Sequence, residues 1–436
     1  MQKTALTTAA ALALATFGAS TAFAQSTLTL YGNLDVAVDN VRKGQGNVVS
    51  APGNLFMNPA YARSFVNKSN TTRVTSSVSS VNSLGVKGTE DLGGGYKGSF
   101  VLEGQMQLDT GAQSGQDGRM WGRQAYLGLT TPFGEVRLGR QYAPMFYSFA
   151  SATVEALGGA DMQGAGLIAN DLQVRQDNQV SYWLKSGGLT ASVSYSPQAG
   201  VDQKISSARA SNGTYTPTSG QIVGGASAGT EATNAQGRGR TLGLFVNYIV
   251  MPELLVNGSY HYNKFGDAVF QTPTGVPLFN LDKYSAYSLA AKYIVPGLGT
   301  QVSGIWHAGK FSMDDGSDVK LDTIALGVKH PIDNFSVGAQ VSQSKFTNFT
   351  KGKDTAVMLT GDYNFSKRTK LYVRAGYVKD DRGDLARTTA AGVPIVGGPL
   401  PLLTGLGSIE TPLFSGGGAN IDATTRVIAV GVRHHF

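Results

Sequence analysis

The 436-residue chain is long enough for two or three ordinary domains or one large β-barrel. Only 15% of its residues are charged and 41% are hydrophobic, with 57 Gly, 18 Tyr and 19 Phe, a balance that excludes disorder and speaks against helical bundles. There is no cysteine, so disulfide scaffolds, thiolate metal sites and cysteine nucleophiles are excluded; the formal charge of +7 is spread singly along the chain, which argues against nucleic acid as a partner.

The amino terminus reads as an export signal. Lys3 supplies a positive start, residues 5–17 form a short apolar run, and Ala22-Phe23-Ala24 fits an A-x-A cleavage site. Residues 1–24 are expected to be a cleaved signal peptide, followed by one domain over 25–436. Loss of Lys3 lowers the formal charge by one, to +6. The apolar run falls short of the roughly 20 residues of a spanning helix, and no later segment supplies one. Residence in a membrane must then be as a closed barrel, which satisfies every backbone group between its strands.

From residue 26 onward apolar residues recur with period two, the mark of strands with different surroundings on their two faces. The alternating segments are 26–41, 82–91, 96–108, 120–130, 135–141, 178–185, 189–196, 240–250, 253–264, 283–295, 300–311, 318–330, 335–346, 353–365, 370–379 and 422–436. In the last of these, Ile428, Val430, Val432 and Phe436 share a face with His434, Arg433 lies on the other, and the chain stops on an aromatic residue. The connectors alternate too. Seven are tight and favour Gly, Pro or Asn, as in Leu92-Gly-Gly-Gly95; the eight between them vary, and 42–81, 142–177, 197–239 and 380–421 are long. Sixteen strands with short periplasmic turns and long outer loops define the predicted class: all-β, a 16-stranded antiparallel transmembrane β-barrel.

Alternation also sorts the polar residues. Lys87 and Arg137 oppose Val86 and Val136 and should face the lumen, as should Glu103, Gln105, Gln107 and, further round, Lys292, Lys329 and Arg374. Arg123 shares parity with Ala125, Leu127 and Leu129, which alone would point it to lipid near the rim; a mid-membrane charge there costs about 2–4 kcal/mol, which favours the lumen. Tyr248, Tyr293, Tyr363, Phe365 and Phe436 sit where an interfacial aromatic belt belongs. Gly93-Gly-Gly95 lacks the Lys-Ser/Thr of a phosphate loop and reads as a turn. His261, His307, His330, His434 and His435 form no His-x-x-x-His pair, and Asp314-Asp-Gly-Ser-Asp318 reads as a solvated tip rather than a calcium loop. No catalytic residue, metal or cofactor is expected. A barrel-embedded hydrolase and a substrate-specific channel or adhesion barrel are the rival classes, distinguished by hydrolysis or by saturable block.

Several stretches together resemble the general porins of β-proteobacteria, of the neisserial and burkholderial type. They are Ser26-Thr-Leu-Thr-Leu-Tyr-Gly-Asn-Leu-Asp35, Gly85-Val-Lys-Gly-Thr-Glu-Asp-Leu-Gly-Gly-Gly95, Arg123-Gln-Ala-Tyr-Leu-Gly-Leu129, Leu138-Gly-Arg-Gln-Tyr142 and Gly431-Val-Arg-His-His-Phe436. The resemblance implies a Gram-negative outer-membrane channel for passive diffusion of small hydrophilic solutes and ions, assembled as a homotrimer amid lipid and lipopolysaccharide. It makes 142–177 a constriction loop folded into the pore. Glu155 and Asp161 would form its acidic side, and Lys87, Arg123, Arg137, Arg140 and Arg175 the opposing basic wall. With a charge near +6, weak anion preference is expected. Phe436 resembles the terminal signal read by the barrel-assembly machinery. Ser83 departs from the family, which commonly carries Arg there.

Overall fold

The computed structural model describes residues 26–45, 68–113, 119–154, 175–197, 221–223, 240–264, 269–271, 277–313, 316, 318–348, 352–381, 387–388, 394–395 and 423–436. Sixteen strands form the barrel wall. They are β1 (Thr27–Lys43), β2 (Ser83–Gly93), β3 (Tyr96–Gln105), β4 (Gln124–Thr131), β5 (Gly134–Tyr142), β6 (Arg175–Ser186), β7 (Leu189–Ser196) and β8 (Arg240–Met251). The series continues with β9 (Leu254–Lys264), β10 (Pro277–Ile294), β11 (Gln301–Met313), β12 (Asp318–Ile332), β13 (Phe335–Asn348), β14 (Gly352–Asn364), β15 (Thr369–Asp381) and β16 (Thr424–His435).

Each strand pairs antiparallel with the next. The wall closes where β16 pairs with β1 over Asn33–Lys43, while Thr27–Asn33 of β1 pairs with β2. Closure removes both sheet edges, so no backbone row faces lipid unpaired. The seam is completed by reciprocal backbone bonds of 3.2 Å between Gly32 and Phe436. A Cβ on Gly32 would lie 2.5 Å from Cζ of Phe436, so glycine is needed for the terminal ring to close over the first strand. The turn after β2 shows a second requirement: Gly93, Gly94 and Gly95 all have left-handed φ, at 82°, 60° and 84°.

The alternation read from the sequence is the alternation of the wall. On β8, Leu242, Leu244, Val246 and Tyr248 are 38–50% exposed, whereas Thr241, Phe245 and Asn247 are 1–8% exposed. On β16, Ile428, Val430, Val432 and Phe436 point outward, and Val427 and Ala429 are buried. His434 shares the outer parity, tied to Thr369 Oγ1 at 2.8 Å beside the periplasmic turn.

Some boundaries differ from the sequence reading. The predicted first loop of 42–81 is too long, because Ser69–Ser76 pairs with Val36–Lys43 of β1. The second wall strand is therefore broken: two collinear pieces flank an inward excursion over 77–82. β6 begins at Arg175 rather than 178, because a bulge with Asn178 at φ 52° lets the ladder resume with Gln176 opposite Gln141. β4 starts at Gln124 rather than 120, leaving Arg123 before the strand and outside its alternation. β3 ends at Gln105, so Gln107 lies in a turn and not on the lumen wall. β10 extends outward to Pro277, where it pairs with Val269–Gln271.

Candidate functional site

The lumen has two kinds of wall. Helix α1 (Pro144–Ala152) follows β5 directly, with Pro144 preset for its first turn. It folds inward against the lumen faces of β8, β9 and β10. Ser148 Oγ bonds to Asn257 Oδ1 at 2.5 Å and Ser288 Oγ at 2.8 Å, and Asn257 Nδ2 donates to Ser151 Oγ at 2.9 Å. Met145, Phe149 and Ala152 are almost fully buried beneath the helix. Tyr147 packs edge-on to Trp183 at 4.8 Å, and burial raises the pKa of its hydroxyl, so it stays neutral. The start of the third loop thus covers the β8–β10 wall.

The remaining wall is basic. On its β2–β6 side, Arg123 pairs with Glu103 and donates to Tyr142 Oη at 2.6 Å. Arg175 also donates to Tyr142 Oη, at 3.3 Å, and lies over its ring at 4.9 Å. Tyr142 in turn stacks on Phe146 of α1 at 4.1 Å and 6°. Arg140 donates to the Gly122 carbonyl at 2.7 Å and pairs with Asp177, which Arg119 also holds at 2.7 Å. Four arginines here face two carboxylates. Arg137 sits apart, paired with Glu135 at 2.7 Å and sandwiched between Tyr126 at 5.2 Å and Trp183 at 4.9 Å. Lys87 lies over the Tyr31 ring at 5.1 Å, and Tyr31 donates to Glu103 at 2.8 Å.

A second cluster lies on β12–β16. Asp362 accepts from Arg374 and Lys370 at 2.7 Å each and from Lys329 at 3.0 Å. Asp35 on β1 accepts from Tyr372 at 2.6 Å, and Ser79 Oγ accepts from Arg374 at 3.1 Å and Arg433 at 3.3 Å. Again four bases meet two acids. Charges on a lumen wall act on passing ions with less screening than charges on an open surface.

The structure brings Arg123, Arg140 and Arg175 together around Tyr142 and Asp177, with Lys87 and Arg137 on neighbouring strands. Glu155 and Asp161 lie outside the described residues. The sequence reading missed Arg119 and the linking role of Tyr142, since neither shows in a strand pattern. It also missed Asp362 and Lys370, although inward parity with Thr360 and Tyr372 marks both.

A closed barrel with an apolar outer face, a polar lumen and an inward-folded helix is a transmembrane diffusion channel. The Gram-negative porin family model matches residues 8–383, and the chain belongs to that family. It is 28% identical over 436 residues to outer membrane porin protein 32 of Delftia acidovorans, covering 98% of this chain and 99% of that protein. It is 27% identical to an outer membrane porin protein of Bordetella pertussis, covering 91% and 99%. Among solved structures it is similar to an anion-selective porin from Comamonas acidovorans, with TM-score 0.63, 24% identity and coverage of 94% and 100%. It is also similar to the trimer form of an outer membrane protein of Vibrio cholerae, with TM-score 0.56, 13% identity and coverage of 94% and 99%. The protein is an outer-membrane channel for passive diffusion of small hydrophilic solutes, among channels rather than enzymes.

Proposed function

We propose that the channel prefers anions weakly, through an eyelet in which Arg123, Arg140 and Arg175, with Lys87 and Arg137 beside them, face Glu155 and Asp161 of the third loop. The observation that carries the reading is the double excess of bases on the wall that α1 does not cover: two clusters, each with four bases and two acids. The structurally similar Comamonas porin is itself described as anion-selective, which agrees with this. Single-channel recording of Arg123→Ala and Glu155→Ala tests it. Arg123→Ala should lower and Glu155→Ala raise the chloride-to-potassium permeability ratio; unchanged conductance and selectivity in both would contradict the eyelet.

The same reading includes export after cleavage at residue 24, a homotrimer embedded in lipid and lipopolysaccharide, and Phe436 as the signal for the barrel-assembly machinery. The outer face supports the trimer. Exposed aromatics stand along β6–β13, including Tyr182, Tyr195, Tyr248, Tyr287 and Trp306. From β16 round to β5, apart from Tyr96 and Phe436 at the periplasmic ends, the exposed strand surface is aliphatic, with Leu30, Val38, Leu127 and Val430. Exposed aromatics are sparser on this stretch of wall than along β6–β13, which suits contact with a neighbouring copy better than contact with lipid headgroups.

A further inference from the structure

The break in the second wall strand gives the channel another inward element. Ser69–Ser76 and Ser83–Gly93 both pair with β1, and the residues between them leave the wall and enter the lumen. Ser77 has φ 64°, a left-handed conformation that turns the chain inward. Its N–H donates to the Asp35 carbonyl at 3.0 Å, and Asn82 Nδ2 donates to the same carbonyl at 3.0 Å, so both ends of the excursion grip one peptide of β1. Within it, the N–H groups of Val78, Ser79 and Ser80 converge on the Asp35 carboxylate at 3.2, 3.0 and 2.8 Å. Tyr372 donates to that carboxylate from β15, and the Ser79 hydroxyl receives Arg374 and Arg433. Asp35 is fully buried, and successive backbone N–H groups around a carboxylate make a strong, oriented clamp.

The position of this clamp matters more than its strength. β1 and β9 are eight strands apart in a closed ring of sixteen, hence on opposite walls, and α1 packs on β8–β10. The excursion touches β15 and β16 near their periplasmic ends, as α1 does β9 and β10, while its anchor Asp35 lies mid-strand on β1. Asn257, Ser288, Tyr372, Arg374 and Arg433 all lie within six residues of the periplasmic ends of their strands. We propose that the 77–82 excursion is a second constriction element, held in the lumen by Asp35 and facing α1 across the channel, and that Asp35 is a positioning residue for conductance. This stands independently of the eyelet assignment, because it needs neither the arginines around Tyr142 and Asp177 nor Glu155.

The chain has no native cysteine, so a single introduced thiol reports unambiguously. Ser80 is partly exposed within the lumen. In Ser80→Cys, a positively charged methanethiosulfonate reagent should react and lower single-channel conductance to about 0.8 of its unlabelled value or less. Asp35→Asn replaces one acceptor with a donor that, in either amide orientation, faces at least one of the N–H groups of 78–80. In barrels shown to be folded by heat-modifiable mobility, it should raise conductance by about 1.2-fold or more and increase open-channel noise. Wild-type conductance and noise in folded Asp35→Asn would overturn the proposal. So would a Ser80→Cys channel that does not react, or that reacts without a change in current; this variant decides the matter if Asp35→Asn does not fold.

Discussion

Asp362→Asn isolates the charge of the β12–β16 cluster with little change in shape. The carboxylate stands between three cations, with Arg374 and Lys370 at 2.7 Å and Lys329 at 3.0 Å. Neutralising it adds one net positive charge to the lumen. For an ion passing about 8 Å away through water, one unit charge is worth about 0.5 kcal/mol. Screening at 0.1 M salt, where the Debye length is about 10 Å, roughly halves that. Stabilisation of the anion and destabilisation of the cation then sum to about 0.5 kcal/mol, a shift of about twofold in permeability ratio. Removing one partner of a buried ion network also costs about 3–5 kcal/mol of stability, reduced here by lumen water. The assay is the zero-current potential of wild type and Asp362→Asn in a KCl gradient centred on 0.1 M. Thermal loss of the folded band on electrophoresis is followed in parallel. The chloride preference should rise about twofold while the transition temperature falls. An unchanged or potassium-shifted potential in a folded barrel would refute the reasoning, because the cluster would then not face the conduction path.

Other perturbations separate the wall from its lining. Arg137→Gln removes a cation held between Tyr126 and Trp183 and frees Glu135; selectivity should move toward cations, and the stacking lost is worth about 1–2 kcal/mol in thermal denaturation. Ser148→Val with Asn257→Leu cuts the polar anchor of α1, and single-channel traces should show more frequent closures with the barrel intact. Gly32→Leu should clash with the Phe436 ring at the seam and lower the yield of heat-modifiable barrel. Deletion of Phe436 should reduce assembled protein far more than it alters the conductance of what does assemble.

The wall was largely legible in the sequence because a barrel strand has lipid on one face and water on the other, and period two records both. Leu242 to Tyr248 and Ile428 to Phe436 show this directly. Arg123 was ambiguous for a physical reason: it precedes β4, so the parity it shares with Leu127 has no meaning for its side chain. The broken second strand was hidden because 77–82, Ser-Val-Ser-Ser-Val-Asn, carries neither Gly nor Pro to mark the turn. Its geometry comes from Asp35 on another strand. Likewise nothing local marks Tyr142 as the hydroxyl shared by Arg123 and Arg175, because that contact joins the residue before β4 to the ends of β5 and β6.

In the lumen, bases outnumber acids where ions pass. The zero-current potential of the purified channel in planar bilayers, recorded across a tenfold KCl gradient at low and then at high ionic strength, tests this most directly. The predicted result is an anion-favouring potential that shrinks as salt screens the basic wall. A potential of zero or of cation-favouring sign at low salt would contradict it.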